Sequence, residues 1–345
     1  MNWMIYLLAY LLPLAAFAGL HARGVWSPGS FYVAFVIIPL LELVLPANSK
    51  NQPPEAETKL GQNRFFDYLL YLNVPILYFL LLDYFSILKN VETLSTFEML
   101  GFTFNIGIMA GTIGINVAHE LGHRHTRLEQ VLSKLLLLPS LYLHFNIEHN
   151  RGHHKHVATD ADPASARKGE NLYAFWWRSV TGSYLNAWRI EAARLQKLNK
   201  KVYSLQNEML RFQLIQVGYL AVIFIVFGGK ALLFAVLLAI VGFLLLESVN
   251  YIEHYGLRRR LLASGRYEPV SPRHSWNSDH QLGRIFLYEL TRHSDHHYKA
   301  SRKYQTLRHL EESPQLPWGY PASIVLSLVP FLWFRMMDGK VPQEV

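Results

Sequence analysis

The sequence predicts an all-α fold, a polytopic membrane protein of six transmembrane helices with a histidine-rich cap at one face. Three observations predict it. Of 345 residues, 51% are hydrophobic and only 17% charged, too apolar for an ordinary soluble domain of this size. Runs without charge, near the ~20 residues that a bilayer crossing demands, recur along the chain. Sixteen histidines gather just beyond the ends of those runs, in a chain with no cysteine. Lacking cysteine, the chain can form no disulfide, iron–sulfur cluster or thiolate zinc site, which leaves imidazole and carboxylate as its strong metal ligands.

Taken in order, residues 4–20 are free of charge and have no basic segment before them. A second apolar run at 31–46 follows at once, so the pair reads as a hairpin of two spans rather than a cleaved leader. Pro13 and Pro39 kink these helices, and Glu42 is an ionisable group inside the second. The polar stretch 47–64 is a loop outside the bilayer. Spans three and four cover 65–88 and 94–118, and Gly107 with Gly111 makes a GxxxG pair suited to close helix packing. Within the polar region 119–210, a leucine-rich piece at 131–145 is too short to cross and reads as interfacial or buried. Spans five and six, 212–227 and 231–251, meet at Gly228-Gly229-Lys230. The last apolar stretch, 320–337, holds Pro321 and Pro330 and is expected to lie against the membrane or the domain.

Six spans place both termini on one side, with the loop 47–64, the region 119–210 and residues 252–345. Those segments carry nearly all the Lys and Arg, so the positive-inside rule assigns them to the cytoplasmic face of the inner membrane. The net charge of +8 is accounted for in this way, without nucleic acid. The whole chain, 1–345, reads as one membrane-embedded domain whose chemistry lies in 119–210 and 252–345.

The chemistry-bearing residues are histidines at helical spacing: His119 and His123; His149, His153 and His154; His293, His296 and His297; and His254 at the end of the sixth span. On a helix, partners three or four apart share a face, so each cluster is expected to deliver its imidazoles to one spot. A zinc ion takes four ligands, and only three from protein when catalytic; nine imidazoles exceed one ion's needs and fit two. Imidazole suits iron, copper, nickel or zinc.

At these residues the chain closely resembles the integral-membrane alkane 1-monooxygenase family, within the wider superfamily of membrane fatty-acid desaturases and hydroxylases. Besides the three histidine boxes, the resemblance rests on NYIEHYGL at 250–257, ATDADPAS at 158–165 and HSWNS at 274–278, and it spans about 65–307. It implies a non-haem centre of two irons held by the nine histidines, with O2 as oxidant. It also implies hydroxylation of medium-chain n-alkanes to 1-alkanols, and electrons from a rubredoxin served by its reductase. A related enzyme acting on an aromatic methyl group or a fatty-acyl chain would use the same site.

Glu120, Glu148, Asp162, Glu253, Glu289 and Asp295 are candidates to accept N–H bonds from the ligand imidazoles, which metal-bound histidines generally require. Arg258, Arg259, Arg260, Lys299, Arg302 and Lys303 bracket the histidines and form a candidate docking patch for the electron donor. His125, His144, His156, His274, His280 and His309 fall outside the boxes and read as ordinary polar side chains. Two readings of other classes remain. HELGH at 119–123 is also the pattern of a zinc metalloprotease, but it leaves seven histidines unexplained. A metal transporter would place histidines or carboxylates within the spans, which are nearly free of them.

Overall fold

In the computed structural model, which describes residues 3–342, all regular structure is helical and no β-strand occurs among the described residues. Positions 1, 2 and 343–345, the ends of the expected domain, lie outside the described residues. We number the main helices α1 (Met4–Ala22, opening with a 3-10 stretch), α2 (Gly29–Glu42), α3 (Pro54–Gln62), α4 (Phe65–Asn90) and α5 (Thr96–Gly122). These are followed by α6 (Arg127–Leu137), α7 (145–156), α8 (Leu172–Lys197) and α9 (Glu208–His254). Four short helices complete the chain: α10 (Gln281–Phe286), α11 (His293–Tyr298), α12 (Tyr320–Ser327) and α13 (Pro330–Met337).

Four of these helices, α1, α4, α5 and α9, are long and apolar enough to cross a membrane; α2 is apolar but shorter. The fourth, α9, is 47 residues long and breaks at Gly228, whose φ of 88° only glycine adopts without strain. Its two ends return to the same place. Arg151 lies 3.6 Å from Glu208 at the start of α9, while the ring of His153 lies 4.9 Å from that of His254 at its end. The apolar runs 212–227 and 231–251 are the two arms of this hairpin. Helices α4 and α5 reverse likewise, with Asp67 at the start of α4 3.6 Å from Arg124 just past α5. The Glu42 carboxylate, at the end of α2, accepts the Gly283 N–H at 2.8 Å, so α2 ends on the same side.

The expected close packing along α5 is present. A Cβ at Gly107 would lie 2.5 Å from Val241 Cβ, and one at Gly111 would lie 2.8 Å from Leu245 Cδ2, so the two glycines let the second arm of α9 run against α5. The first half of the leucine-rich piece lies in the amphipathic α6, which buries Leu136 and Leu137 and exposes Leu128 and Val131; the rest continues through a 3-10 turn at Leu138–Ser140. Prolines divide the last apolar stretch into α12 and α13. Together they build a small second core, in which Trp333 lies 5.5 Å from the ring of Tyr251 and 5.4 Å from that of Tyr255. This core holds the end of α9 in place.

Substitution at the seam tests this packing. Gly107→Ala should destabilise the chain by about 1–3 kcal/mol, because the new methyl meets a β-branched side chain that cannot swing aside. Gly218→Ala, where nothing lies within 4 Å, should be neutral or stabilising. Thermal unfolding of both variants in one detergent measures the difference.

Candidate metal centre

The nine histidines converge in two groups, and the boxes do not stay whole. His119, His123, His149, His154 and His296 form one group; His153, His254, His293 and His297 form the other, with ligand atoms in each all within 4.8 Å of one another. The expectation that each box serves one spot is therefore corrected for the second and third boxes. In α7 the cause is local: His149–His153 is a π-helical turn. Its wider winding aligns residues five apart about as well as residues four apart. His149 and His154 thus reach one group while His153 reaches the other. In α11, His293 and His297 are four apart and share a group, and His296 serves its neighbour. Another π turn, Ala110–Asn116, immediately precedes His119.

Within each group the Nε2 atoms face one another. In the first, His149 lies 3.2 Å from His123 and 2.9 Å from His154, and His154 lies 3.2 Å from His296. In the second, His297 lies 3.2 Å from His153 and 2.9 Å from His293, and His293 lies 3.2 Å from His254. Hydrogen bonds alone do not account for this arrangement. His153 donates Nδ1–H to Asp162 at 2.8 Å and His254 donates Nδ1–H to the His274 carbonyl at 3.3 Å, so in its neutral form each ring presents a bare Nε2 lone pair. The spacing suits a cation: nitrogens about 2.1 Å from an ion stand about 3.0 Å apart at right angles and about 3.4 Å apart in a tetrahedron. The observed 2.9–3.2 Å separations fall within this range, and the donor sets, five imidazoles in one group and four in the other, fit one ion each.

Burial prepares the imidazoles for this role. It is the main cause that holds His123, His149, His154, His293, His296 and His297 well below the ordinary histidine pKa, with neighbouring imidazoles adding to it, so they are neutral at pH 7. His153 differs. Burial lowers its pKa, but the Asp162 carboxylate, with Glu148 and Glu247, outweighs burial and leaves it raised. Asp162 is fixed in turn by the Ser165 hydroxyl at 2.6 Å and the Ala164 N–H at 3.1 Å, which explains the value of the 158–165 segment.

The other candidate carboxylates are placed differently. Glu120 accepts from the Arg124 guanidinium and from Tyr304 N–H at 3.2 Å, so its charge is committed to structure and it is not poised as a protease base. Glu289 is held by Tyr6 and Arg284, and Asp295 by Arg302 and Arg308. Glu148 accepts from Asn186 at 3.1 Å. Glu253 touches a ligand, but at Nε2: its Oε2 lies 3.2 Å from His293 Nε2. Among histidines outside the groups, His309 bonds Asp279 at 2.6 Å, His274 bonds Glu268 at 3.2 Å and His280 bonds Ser278 at 3.0 Å. His144 is buried against Tyr142, its pKa pushed down to about 3 by burial.

The basic residues divide into two sets. Arg302 pairs with Glu57 and Asp295, and Lys303 with Asp67, so their charge faces inward. Lys299 is exposed. Arg259 donates to the carbonyls of Glu268 and Lys155, and Arg260 pairs with Glu268 at 3.2 Å. Arg258 and Arg260 line a surface groove of about 520 Å³, together with Arg273 and His274.

Among the apolar helices, a cavity of about 70 Å³ reaches both histidine groups. Leu12, Ala34, Phe35 and Ile38 form one wall and Leu245, Leu246 and Val249 the other; His119, His149, His293 and Glu253 form the floor. Tyr320 also lines it and donates to Glu253 Oε1 at 2.9 Å. Sequence reasoning missed this tyrosine, because placing the stretch 320–337 against the membrane or the domain does not fix which side chain faces α9.

The family model described as fatty acid desaturase matches residues 96–326, which enclose all nine histidines. The chain is 40% identical to alkane 1-monooxygenase 2 of Pseudomonas aeruginosa, over 98% of this chain and 93% of that protein. It is 38% identical to alkane 1-monooxygenase 1 of Alcanivorax borkumensis, over 98% and 84%. It is 26% identical to the xylene/toluene monooxygenase hydroxylase component of Pseudomonas putida, over 95% and 86%.

Depressed histidine pKa values fix a pH dependence for the metal-free chain. A base whose folded pKa lies below its unfolded value of about 6.5 binds more protons unfolded, so its stabilising contribution is present above that pH and is lost as pH falls. Six depressed imidazoles outnumber the single raised His153. The melting temperature of the metal-stripped protein should therefore fall steadily between about pH 7 and pH 5. A flat profile across that interval would show that the imidazoles are hydrated in solution.

Proposed function

The chain belongs to the alkane 1-monooxygenase family, within the fatty acid desaturase family, and on that premise we propose that it hydroxylates medium-chain n-alkanes to 1-alkanols with O2. The reaction takes place at two irons held by the nine histidines, with electrons from a rubredoxin. The observation that carries this reading is the apolar cavity whose floor is shared by the two histidine groups. An alkane offers nothing to hydrogen-bond, so the wall selects it by shape alone, at about 1–3 kcal/mol per methylene. Chain-length tolerance is correspondingly broad.

His119, His123, His149, His154 and His296 hold one iron, and His153, His254, His293 and His297 the other. When bound, the irons supply O2 activation and oxidation of the C–H bond. Asp162 keeps the His153 proton on Nδ1 and the His274 carbonyl keeps that of His254 there, so both rings offer Nε2. Leu245, Leu246 and Val249 exclude water and direct an alkyl chain toward the floor.

The same reading places the chain in the inner membrane with six crossings: α1, α2, α4, α5 and the two arms of α9. Both termini and the histidine groups lie on the cytoplasmic side, as the Lys and Arg distribution supports. The donor docks at the groove of Arg258, Arg260 and Arg273, above the His274 carbonyl that receives the His254 N–H. Arg260 and Arg273 pair with Glu268 and Glu312 of the same groove but stay exposed, whereas Arg302 and Lys303 are largely buried in their pairs and contribute less to docking.

Purified protein given rubredoxin, its reductase, NADH, O2 and a mixture of octane, xylene and an acyl lipid should yield 1-octanol as main product by mass spectrometry. Benzylic alcohol as main product would instead favour the aromatic-methyl chemistry named in the xylene/toluene relative. The wild type should carry two irons, and His254→Ala should lose iron and most activity while His309→Ala keeps both. Retention of full activity in His254→Ala would mean that the site is built differently.

Reversing Arg260, Arg273 and Lys299 to Glu together should slow turnover at limiting rubredoxin and flatten its salt dependence, because complementary charge mainly speeds encounter. Peroxide-driven turnover should be unaffected. Unchanged donor-driven rates would place docking elsewhere.

A further inference from the structure

We propose that hydrocarbon enters the cavity sideways from the lipid, through an apolar groove between α2 and α12, past the side chain of Phe35. The proposal rests on the reading of the cavity as the substrate site. The groove has a volume of about 300 Å³ and is lined by Phe35 and Pro39 of α2, Trp318 in the turn before α12, Ala322 and Val325 of α12, and Met336 of α13. Behind it lies the cavity of about 70 Å³, and the same two helices stand between the two spaces. On α2, Ala34 and Ile38 line the cavity while Pro39 lines the groove; on α12, Tyr320, Pro321 and Ile324 line the cavity while Ala322 and Val325 line the groove. Phe35 lines both, and so forms the partition.

The partition is built to yield where the other walls are not. Phe35 is half-buried and packs against both apolar cores, the large one and the small one around Trp333. Its ring meets that of Phe31, centroids 5.7 Å apart, and Phe31 is exposed, so the ring has a buried side and an open one. It also sits at the centre of the π turn Val33–Ile37, where the regular hydrogen-bond ladder is interrupted. The opposite wall has no such slack: a Cβ at Gly111 would lie 2.8 Å from Leu245 Cδ2. At the polar end of the seam the way is shut. The Glu42 carboxylate, 7% exposed, accepts the Gly283 N–H at 2.8 Å, and a Cβ at Gly319, just before α12, would collide with its Oε2. A gap at Phe35 therefore leads outward past Val36, Leu40 and Val325, which are apolar and exposed, and not into water. A hydrocarbon chain taking this route keeps apolar contact throughout and has no aqueous layer to cross.

The chain contains no cysteine, so Leu12→Cys places a single thiol on the cavity wall, at a position 3% exposed. The full-length protein in lipid nanodiscs is treated with octyl methanethiosulfonate, which dissolves in the bilayer. The thiolate attacks the alkyl-bearing sulfur, a mixed disulfide forms and methanesulfinate leaves, and the gain in mass is followed with time. On this background Phe35→Ala should speed labelling about fivefold, and Ala322→Phe, which fills the groove without reaching the cavity, should slow it by about the same factor. A cationic reagent with the same reactive group, confined to water, should not label. The passage is overturned if Ala322→Phe labels as fast as its Leu12→Cys parent, whether because a resident lipid already fills the groove or because entry lies elsewhere. That outcome decides even where Phe35→Ala fails to fold. Labelling by the cationic reagent at the octyl rate overturns it too. Excess octane should compete with the octyl reagent; if labelling follows Phe35 and Ala322 but ignores octane, the passage stands and the alkane reading of the cavity falls.

Discussion

Imidazole lone pairs aimed at one another in a buried site repel unless a proton or a cation lies between them, and this constraint governs the cytoplasm-facing half of the proposed topology. The Nε2 atoms of His149 and His154 stand 2.9 Å apart, as do those of His293 and His297. Chain segments from four parts of the sequence must be held against that repulsion: the end of α5, the π turn of α7, the end of α9, and α11. The surrounding arginine–carboxylate pairs supply the holding. Arg124 joins the end of α5 to Asp67 of α4, Tyr6 of α1 holds Glu289, which Arg284 also pairs, and Arg302 joins Asp295 of α11 to Glu57 of α3. These pairs are buried or half-buried, and each leaves a charge uncompensated if broken.

Irregular backbone is concentrated where the site is. The π turns at Val33–Ile37, Ala110–Asn116 and His149–His153 border the cavity wall, lead into His119 and carry the second box. A π turn widens the helix and re-aims the side chains beyond it by a fraction of a turn. In α7 that fraction decides which group His153 joins. The second and third boxes consequently stitch the two groups together, since neither box can shift without moving ligands of both.

Much of this was legible in the sequence, and what was not has identifiable causes. Charge-free runs gave the apolar helices, and Gly107 with Gly111 gave the α5–α9 seam, because both are local patterns. The histidine boxes could be read from spacing, but their division could not: a π turn differs from an α turn by one backbone hydrogen bond and has no composition of its own. Carboxylates were visible while their partners were not. Glu120 meets the N–H of Tyr304, 184 residues away, and Arg302 meets Glu57, 245 residues away, so charges that looked available near the histidines were in fact spent on distant segments. Tyr320 reached the cavity only because Pro321 and Pro330 fold the last apolar stretch back onto α9.

The brevity of α2 bears on the lipid around it. From Gly29 to Glu42 it spans about 21 Å at the rise of an α-helix, against a hydrocarbon thickness of about 30 Å. If α2 crosses, as in the proposed topology, a bilayer meeting this flank would thin to match it, at a modest cost for each ångström of mismatch. Ala34, Phe35 and Ile38 of this same helix line the cavity. Under the proposed topology the acyl chains beside α2 would be those least able to pack in parallel with their neighbours, so the short helix would set the cavity against the least ordered part of the surrounding lipid.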